Sequence, residues 1–116
     1  MTLVDTSVWI DYFRRGNSKL EDLLEDDTVL THPFVIGELA CGALPDRRRI
    51  LADLAVLPRT NVAHHDEVLH LVENRALWSQ GVGWIDCHLL ASAIISRCNL
   101  WTLDLALQRA AAAVIR

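Results

Sequence analysis

Cysteine is scarce in this sequence, and what there is does not pair. Cys41, Cys87 and Cys98 are odd in number and contain no CxxC spacing, which excludes a disulfide framework and a zinc knuckle. They read as small buried residues in a reducing compartment. Long apolar runs are missing too. No stretch approaches membrane-spanning length, and Asp5 and Asp11 interrupt the first dozen residues, where a secretory leader needs an apolar core. A soluble cytoplasmic protein without a membrane partner is expected. Lysine is nearly absent: Lys19 is the one lysine among 11 basic residues, a bias that a GC-rich coding sequence explains as readily as a need for planar guanidinium groups. Internal repeats, linkers and low-complexity tracts are lacking, apart from Ala110 to Ala113.

What is present is a core-forming composition. With 116 residues, 52% hydrophobic and 22% charged, the chain is expected to fold as a single domain over residues 1–116 around one core. The net charge of -4 argues against a purely electrostatic grip on nucleic acid, which requires clustered Lys and Arg.

Short β-prone runs alternate with longer helical patterns. Thr2 to Val4 stops at Asp5-Thr6-Ser7, which can cap a helix carrying Val8, Trp9, Tyr12 and Phe13 on one face until Arg15-Gly16-Asn17. Ser18 to Glu25 predicts a second helix, Thr28 to Thr31 a second strand, and Pro33 the first turn of the next helix, which ends near Gly42. Arg47 to Val56 predicts a short helix, and Val56-Leu57-Pro58 a small strand. His65 to Gln80 is the strongest helical pattern, with Val68, Leu69, Val72, Ala76 and Leu77 in register before Gly81-Val82-Gly83. A helix over Trp84 to Arg97, with Ile85, Leu89, Ala93 and Ile94 inward, leads to a last strand at Leu100 to Thr102 and an alanine-rich helix opened by Asp104. Strands separated by helices imply βαβ units, and hence an α/β fold of three layers, α/β/α, with a short parallel sheet of four or five strands.

Four acids stand where such a fold can gather them. Ligands of open parallel sheets bind beyond the carboxyl ends of the strands. Asp5 follows the first strand and Asp104 the last, while Glu38 and Asp86 lie early in their helices. Convergent carboxylates raise one another's pKa and oppose folding unless a cation compensates. Oxygen-only ligation suits Mg²⁺, or Mn²⁺ in its place, and phosphoryl chemistry is the natural use. If these four acids hold metal, the rest of the molecule is balanced in charge. Each has a plainer reading beside this one: Asp5 and Asp104 as helix caps, Glu38 as an exposed helix residue, Asp86 as a complement to the helix dipole.

The strings Val4-Asp5-Thr6-Ser7-Val8-Trp9-Ile10-Asp11, Ile36-Gly37-Glu38-Leu39 with Gly42, Ile85-Asp86 with Leu90-Ala91-Ser92-Ala93, and Leu100-Trp101-Thr102-Leu103-Asp104 together resemble the PIN domain. Their spacing and the VDTSVWIDY opening are similar to the VapC toxins of bacterial toxin–antitoxin pairs. The resemblance implies an Mg²⁺-dependent endoribonuclease with Asp5, Asp86, Glu38 and Asp104 as catalytic and metal-binding acids and Ser7 and Thr102 as supporting hydroxyls. It also implies an RNA substrate, a homodimer, and a cognate antitoxin protein that covers the site. Two departures are visible: Leu105-Ala106-Leu107-Gln108 follows Asp104 where relatives often carry a charged or aromatic residue, and the C-terminus is short, which leaves open whether the sheet keeps a last edge strand that other members possess.

Arg14 and Arg15, and the run Arg47 to Arg49, are candidates to guide an RNA backbone, although charge runs are commonly solvated faces. Trp9, Trp78, Trp84 and Trp101 can stack on bases, or pack in the core or a dimer. His64, His65 and His70 read as surface residues, and His88 as no ligand. Two other readings stay open. A haloacid-dehalogenase phosphatase also begins with an Asp after an early strand, but its second Asp is replaced here by Ser7. A catalytically inactive PIN-like binding module would act only through dimer or partner surfaces.

Overall fold

The computed structural model describes residues 1–115. Strand β1 is Thr2–Val4, followed by helices α1 (Thr6–Arg15) and α2 (Ser18–Glu25), strand β2 (Val29–Leu30), helices α3 (Pro33–Cys41), α4 (Arg47–Ala55), α5 (His65–Asn74) and α6 (Trp84–Ser96), strand β3 (Asn99–Trp101) and helix α7 (Leu105–Val114). The sheet is parallel in the order β2-β1-β3, with Thr2 opposite both Val29 and Asn99, and Val4 opposite Trp101. β1 is therefore central, and the chain leaves it toward one side for β2 and returns to the other for β3. The crevice at such a reversal, beyond the carboxyl ends of β1 and β3, is where ligands of open α/β sheets sit.

The sheet is smaller than the expected four or five strands: the described residues form three. The strand expected at Val56–Pro58 is reduced to one parallel bridge, Thr31 to Arg59, made by Thr31 N donating to Pro58 O (2.9 Å) and Thr60 N donating to Thr31 O (2.9 Å). Pro58 has no N–H to extend a ladder, so pairing stops there.

Helix α5 is also shorter than the predicted 65–80 span. It ends at Asn74 because Ala76 adopts a left-handed conformation (φ 50°), and a single 3₁₀ turn follows at Leu77–Ser79. Polar side chains stabilise this break: Ser79 Oγ donates to Ala76 O (2.9 Å), and Gln80 Nε2 donates to Arg75 O (2.9 Å). Leu69, expected inward, is exposed, and Val68 and Leu77 carry the packing.

Helix α6 organises the interior. Cys87 to Ala93 are all buried, seven consecutive residues covering the full circumference rather than one stripe. A helix buried all round lies between two packed bodies. Leu89 and Ala93 join β1, β2, α1 and α3 residues in one cluster, while Cys87, Leu90 and Ala91 join Val68, Leu77, Leu107 and Ala110 in the other. Ile94, expected inward, is 40% exposed. Among the described residues no helix is long and apolar enough to cross a membrane.

Candidate active site

Asp5 leaves the sheet at the end of β1 with its amide donating to Trp101 O (2.9 Å), so the end of β3 runs beside it. It occupies the N-cap position of α1 in extended backbone, yet its side chain caps nothing. Instead Oδ2 accepts from Ser7 Oγ (2.8 Å) and Thr102 Oγ1 (2.7 Å), and the residue is only 6% exposed. Each hydroxyl has one proton, and both protons go to Asp5. The lone pairs left on the hydroxyls then accept from the backbone: Leu103 N donates to Ser7 Oγ (3.0 Å) and Asp104 N to Thr102 Oγ1 (3.1 Å). Ser7 and Thr102 thus stitch the turn after β3 to the turn after β1 through one carboxylate oxygen.

Asp86 and Asp104 do act at helix starts. Asp86 Oδ2 accepts from Gly83 N (3.1 Å), and Asp104 Oδ1 caps α7 by accepting from Leu107 N (2.9 Å). Glu38 is exposed on α3 and accepts from Thr6 Oγ1 through Oε1 (2.8 Å), a bond that joins α3 to the first turn of α1. Thr6 was not singled out by the sequence reading, although it adjoins Asp5 and is the residue that holds Glu38.

One regularity unites the four acids. Each fixes one carboxylate oxygen in a hydrogen bond and leaves the other without a donor, and none is paired with Lys or Arg, among the described residues. None of these free oxygens is sealed in the interior. Asp5 and Asp104 lie near enough to Asp86 for their charges to act on it. Burial of Asp86 raises its pKa from the ordinary carboxylate value, and the charges of Asp5 and Asp104 raise it further, against the lowering effect of the Gly83 amide. Even so, no three His, Cys, Asp or Glu side chains among the described residues close into a ready metal-binding group. The acids outline an open rim of oxygen donors rather than a finished cage.

The guanidinium candidates divide. Arg14 lines a 240 Å³ cavity together with Glu38, Ile10 and Phe13, whereas Arg15 is bonded to Asp11 (2.6 Å). Arg47 is held by carbonyls at the end of α3, including Gly42 O (3.1 Å). Trp9 is buried in the core and stacked on Phe13, Trp101 lies under the Lys19 ammonium, Trp78 is 70% exposed, and Trp84 is 40% exposed.

Residues 2–113 match the PIN domain family. The chain belongs to that family. It is 47% identical over 113 residues to Ribonuclease VapC32 of Mycobacterium tuberculosis, in strains CDC 1551 / Oshkosh and ATCC 25618 / H37Rv, an alignment covering 97% of this chain and 91% of the relative. This PIN domain is thereby a VapC-family member, as the motifs around Asp5, Glu38, Asp86 and Asp104 implied.

A second polar cluster of this PIN domain was not foreseen. His32 is fully buried at the N-cap of α3, where Nδ1 accepts from Phe34 N (3.0 Å). That fixes the tautomer: the proton sits on Nε2, which donates to Ser92 Oγ (3.1 Å) on α6. Burial, then the charges of His88 and Arg59, push the His32 pKa down to about 4. The position directly before Pro33 was the available signal, since the residue before a helix-opening proline is a natural cap. His88 is 6% exposed with Nδ1 lacking a partner, and its ring lies edge-on between Phe34 and Trp84 (both 4.7 Å).

Proposed function

We propose that this protein is a metal-dependent endoribonuclease, with Asp5, Glu38, Asp86 and Asp104 as its catalytic acids, and that it acts in the cytoplasm as the toxin of a type II toxin–antitoxin pair. The observation that carries the reading is the set of four unpaired carboxylates, each with one tethered and one free oxygen, at the reversal point of a parallel sheet. The name of the relative, Ribonuclease VapC32, supports RNA as the substrate.

The donor set fits a hard cation such as Mg²⁺, with Mn²⁺ as a substitute, because it offers oxygen alone and leaves room for water and phosphate oxygens. Asp5 and Asp86 would hold the ion most directly, with Glu38 and Asp104 completing the set. When bound, such an ion lowers the pKa of an attacking water and offsets the charge that develops on the phosphate. The chain's own contribution is orientation. Ser7 and Thr102 lock the Asp5 carboxylate in one rotamer, Thr6 holds Glu38 toward the same rim, and the helix-start bonds fix Asp86 and Asp104. Arg14, which lines a cavity with Glu38, would meet the RNA backbone, and Arg15 is the further basic candidate. A homodimer and a cognate antitoxin that covers the acid rim belong to the same proposal.

The test is cleavage of single-stranded RNA with Mg²⁺. Wild-type protein is expected to cut, and EDTA or Asp5→Asn to stop it. Cleavage that survives both would place the chemistry elsewhere. An inactive wild-type protein that still binds RNA or antitoxin would favour the binding-module reading.

A further inference from the structure

Trp84 is the first residue of α6, two residues before Asp86, and its ring packs against two histidine rings. The His88 ring meets it edge-on (4.7 Å, 87°), and the His65 ring at the start of α5 lies 5.0 Å away. Behind His88 the aromatic contacts continue through Phe34 (4.7 Å) to the buried His32 (5.1 Å). The ladder runs from the core to the surface, and its outer rung is 40% exposed. Trp78, by contrast, is 70% exposed and touches no aromatic ring among the described residues. Trp84 is thus a partly exposed ring packed on two histidine rings at the helix start that carries Asp86, whereas Trp78 is a solvated side chain.

We propose that Trp84 is the stacking platform for an unpaired nucleobase of the RNA substrate. This deepens the ribonuclease reading and rests on it for the identity of the ligand. An acidic face repels a polyanion, so contacts that do not depend on charge add to the affinity there. Stacking on a preset aromatic ring is such a contact, and every base has a face to offer. Helix geometry adds a constraint. Residues two apart diverge by about 200° around the axis, so the Trp84 ring and the Asp86 carboxylate point to different sides of the helix start. The stacked base therefore belongs to a nucleotide flanking the scissile phosphate, which makes Trp84 a determinant of how the strand is threaded.

The experiment uses full-length Asp5→Asn protein, so that RNA stays intact, and fluorescein-labelled 12-mer oligouridylate and oligoadenylate. Adding Trp84→Leu is expected to weaken binding roughly 5- to 150-fold, the range for loss of one stacked base. Trp84→Phe restores most of the affinity, and Trp78→Leu changes nothing. The deficit persists at high salt, where phosphate contacts fade. Oligomer binding is also expected to quench indole fluorescence in the Asp5→Asn protein, and the quench disappears in Asp5→Asn/Trp84→Phe. That readout keeps the idea testable if Trp84→Leu does not fold. Equal affinity with and without the ring, no binding of either oligomer, or a loss that instead follows a change from dimer to monomer would each overturn the proposal. Because binding is read without cleavage, a wild-type protein that cuts no RNA while Trp84 still governs binding would sink the enzyme reading and leave the platform standing.

Discussion

Asp5 and His32 are both polar side chains with almost no exposed surface, and the molecule treats them oppositely. His32 uses both ring nitrogens, one as acceptor from Phe34 N and one as donor to Ser92 Oγ, and is kept neutral by burial. Asp5 spends two hydroxyl donors on one oxygen and leaves the other open toward the rim. A buried polar group that is fully satisfied is built for structure, because any change leaves a partner orphaned. A carboxylate held firmly at one oxygen and left open at the other is built to receive something. The contrast separates a structural knot from the proposed site within a few residues of each other, since α3 carries both His32 as its cap and Glu38, and α6 carries both Ser92 and Asp86.

That contrast breaks most visibly at Asp5. Asp5→Asn is expected to reduce RNA cleavage on the order of 10³-fold while the thermal midpoint stays level or rises, because charge repulsion at the rim falls. A matching collapse of the melting transition would make Asp5 structural, like His32.

Next in size is acid sensitivity from His32. Its folded pKa of about 4 lies below the ordinary value of 6.5. The unfolded chain therefore binds a proton that the folded chain refuses, and stability falls as pH drops from 6.5 to 4, by up to about 3 kcal/mol. Urea midpoints across that range are expected to lose this slope in His32→Asn. An unchanged slope would assign it to other groups.

Removing the hydroxyl partner comes third. Ser92→Ala leaves His32 Nε2–H without its acceptor, and also Ala63 N, which donates to the same oxygen (3.3 Å). A stability loss of about 1–3 kcal/mol is expected, with kcat per folded molecule little changed.

The smallest effect sharpens the other side. Asp86 has a raised folded pKa, so it favours folding as pH falls through that value and opposes folding once ionised above it. Asp86→Asn keeps an acceptor for Gly83 N and is expected to gain stability at pH 7 without metal. A loss there would mean that the ionised carboxylate stabilises the fold.

The sequence made most of the rim legible because three of its four acids sit at element boundaries, and boundaries carry strong signals: apolar runs stop at Asp5, Asp86 opens a helix after Gly83, and Asp104 opens another, while Glu38 lies inside α3. What it hid depends on neighbours distant in sequence. The full burial of α6 cannot be read from a one-sided periodicity, because the helix lies between two clusters. The break at Ala76 is set by Ser79 and Gln80 reaching back to carbonyls. Pro58 truncates a strand that its flanking apolar residues suggest. His32 looked like an ordinary polar residue before a proline because Ser92, sixty positions away, is invisible until the chain folds.

The central claim is that the four acids form one cation site. Isothermal titration of Mn²⁺ into wild-type, Asp5→Asn and Asp86→Asn proteins tests it without any substrate. Saturable binding to the wild type, weakened tenfold or more by either substitution, is the expected result. Equal binding by all three proteins, or none by the wild type, would contradict it.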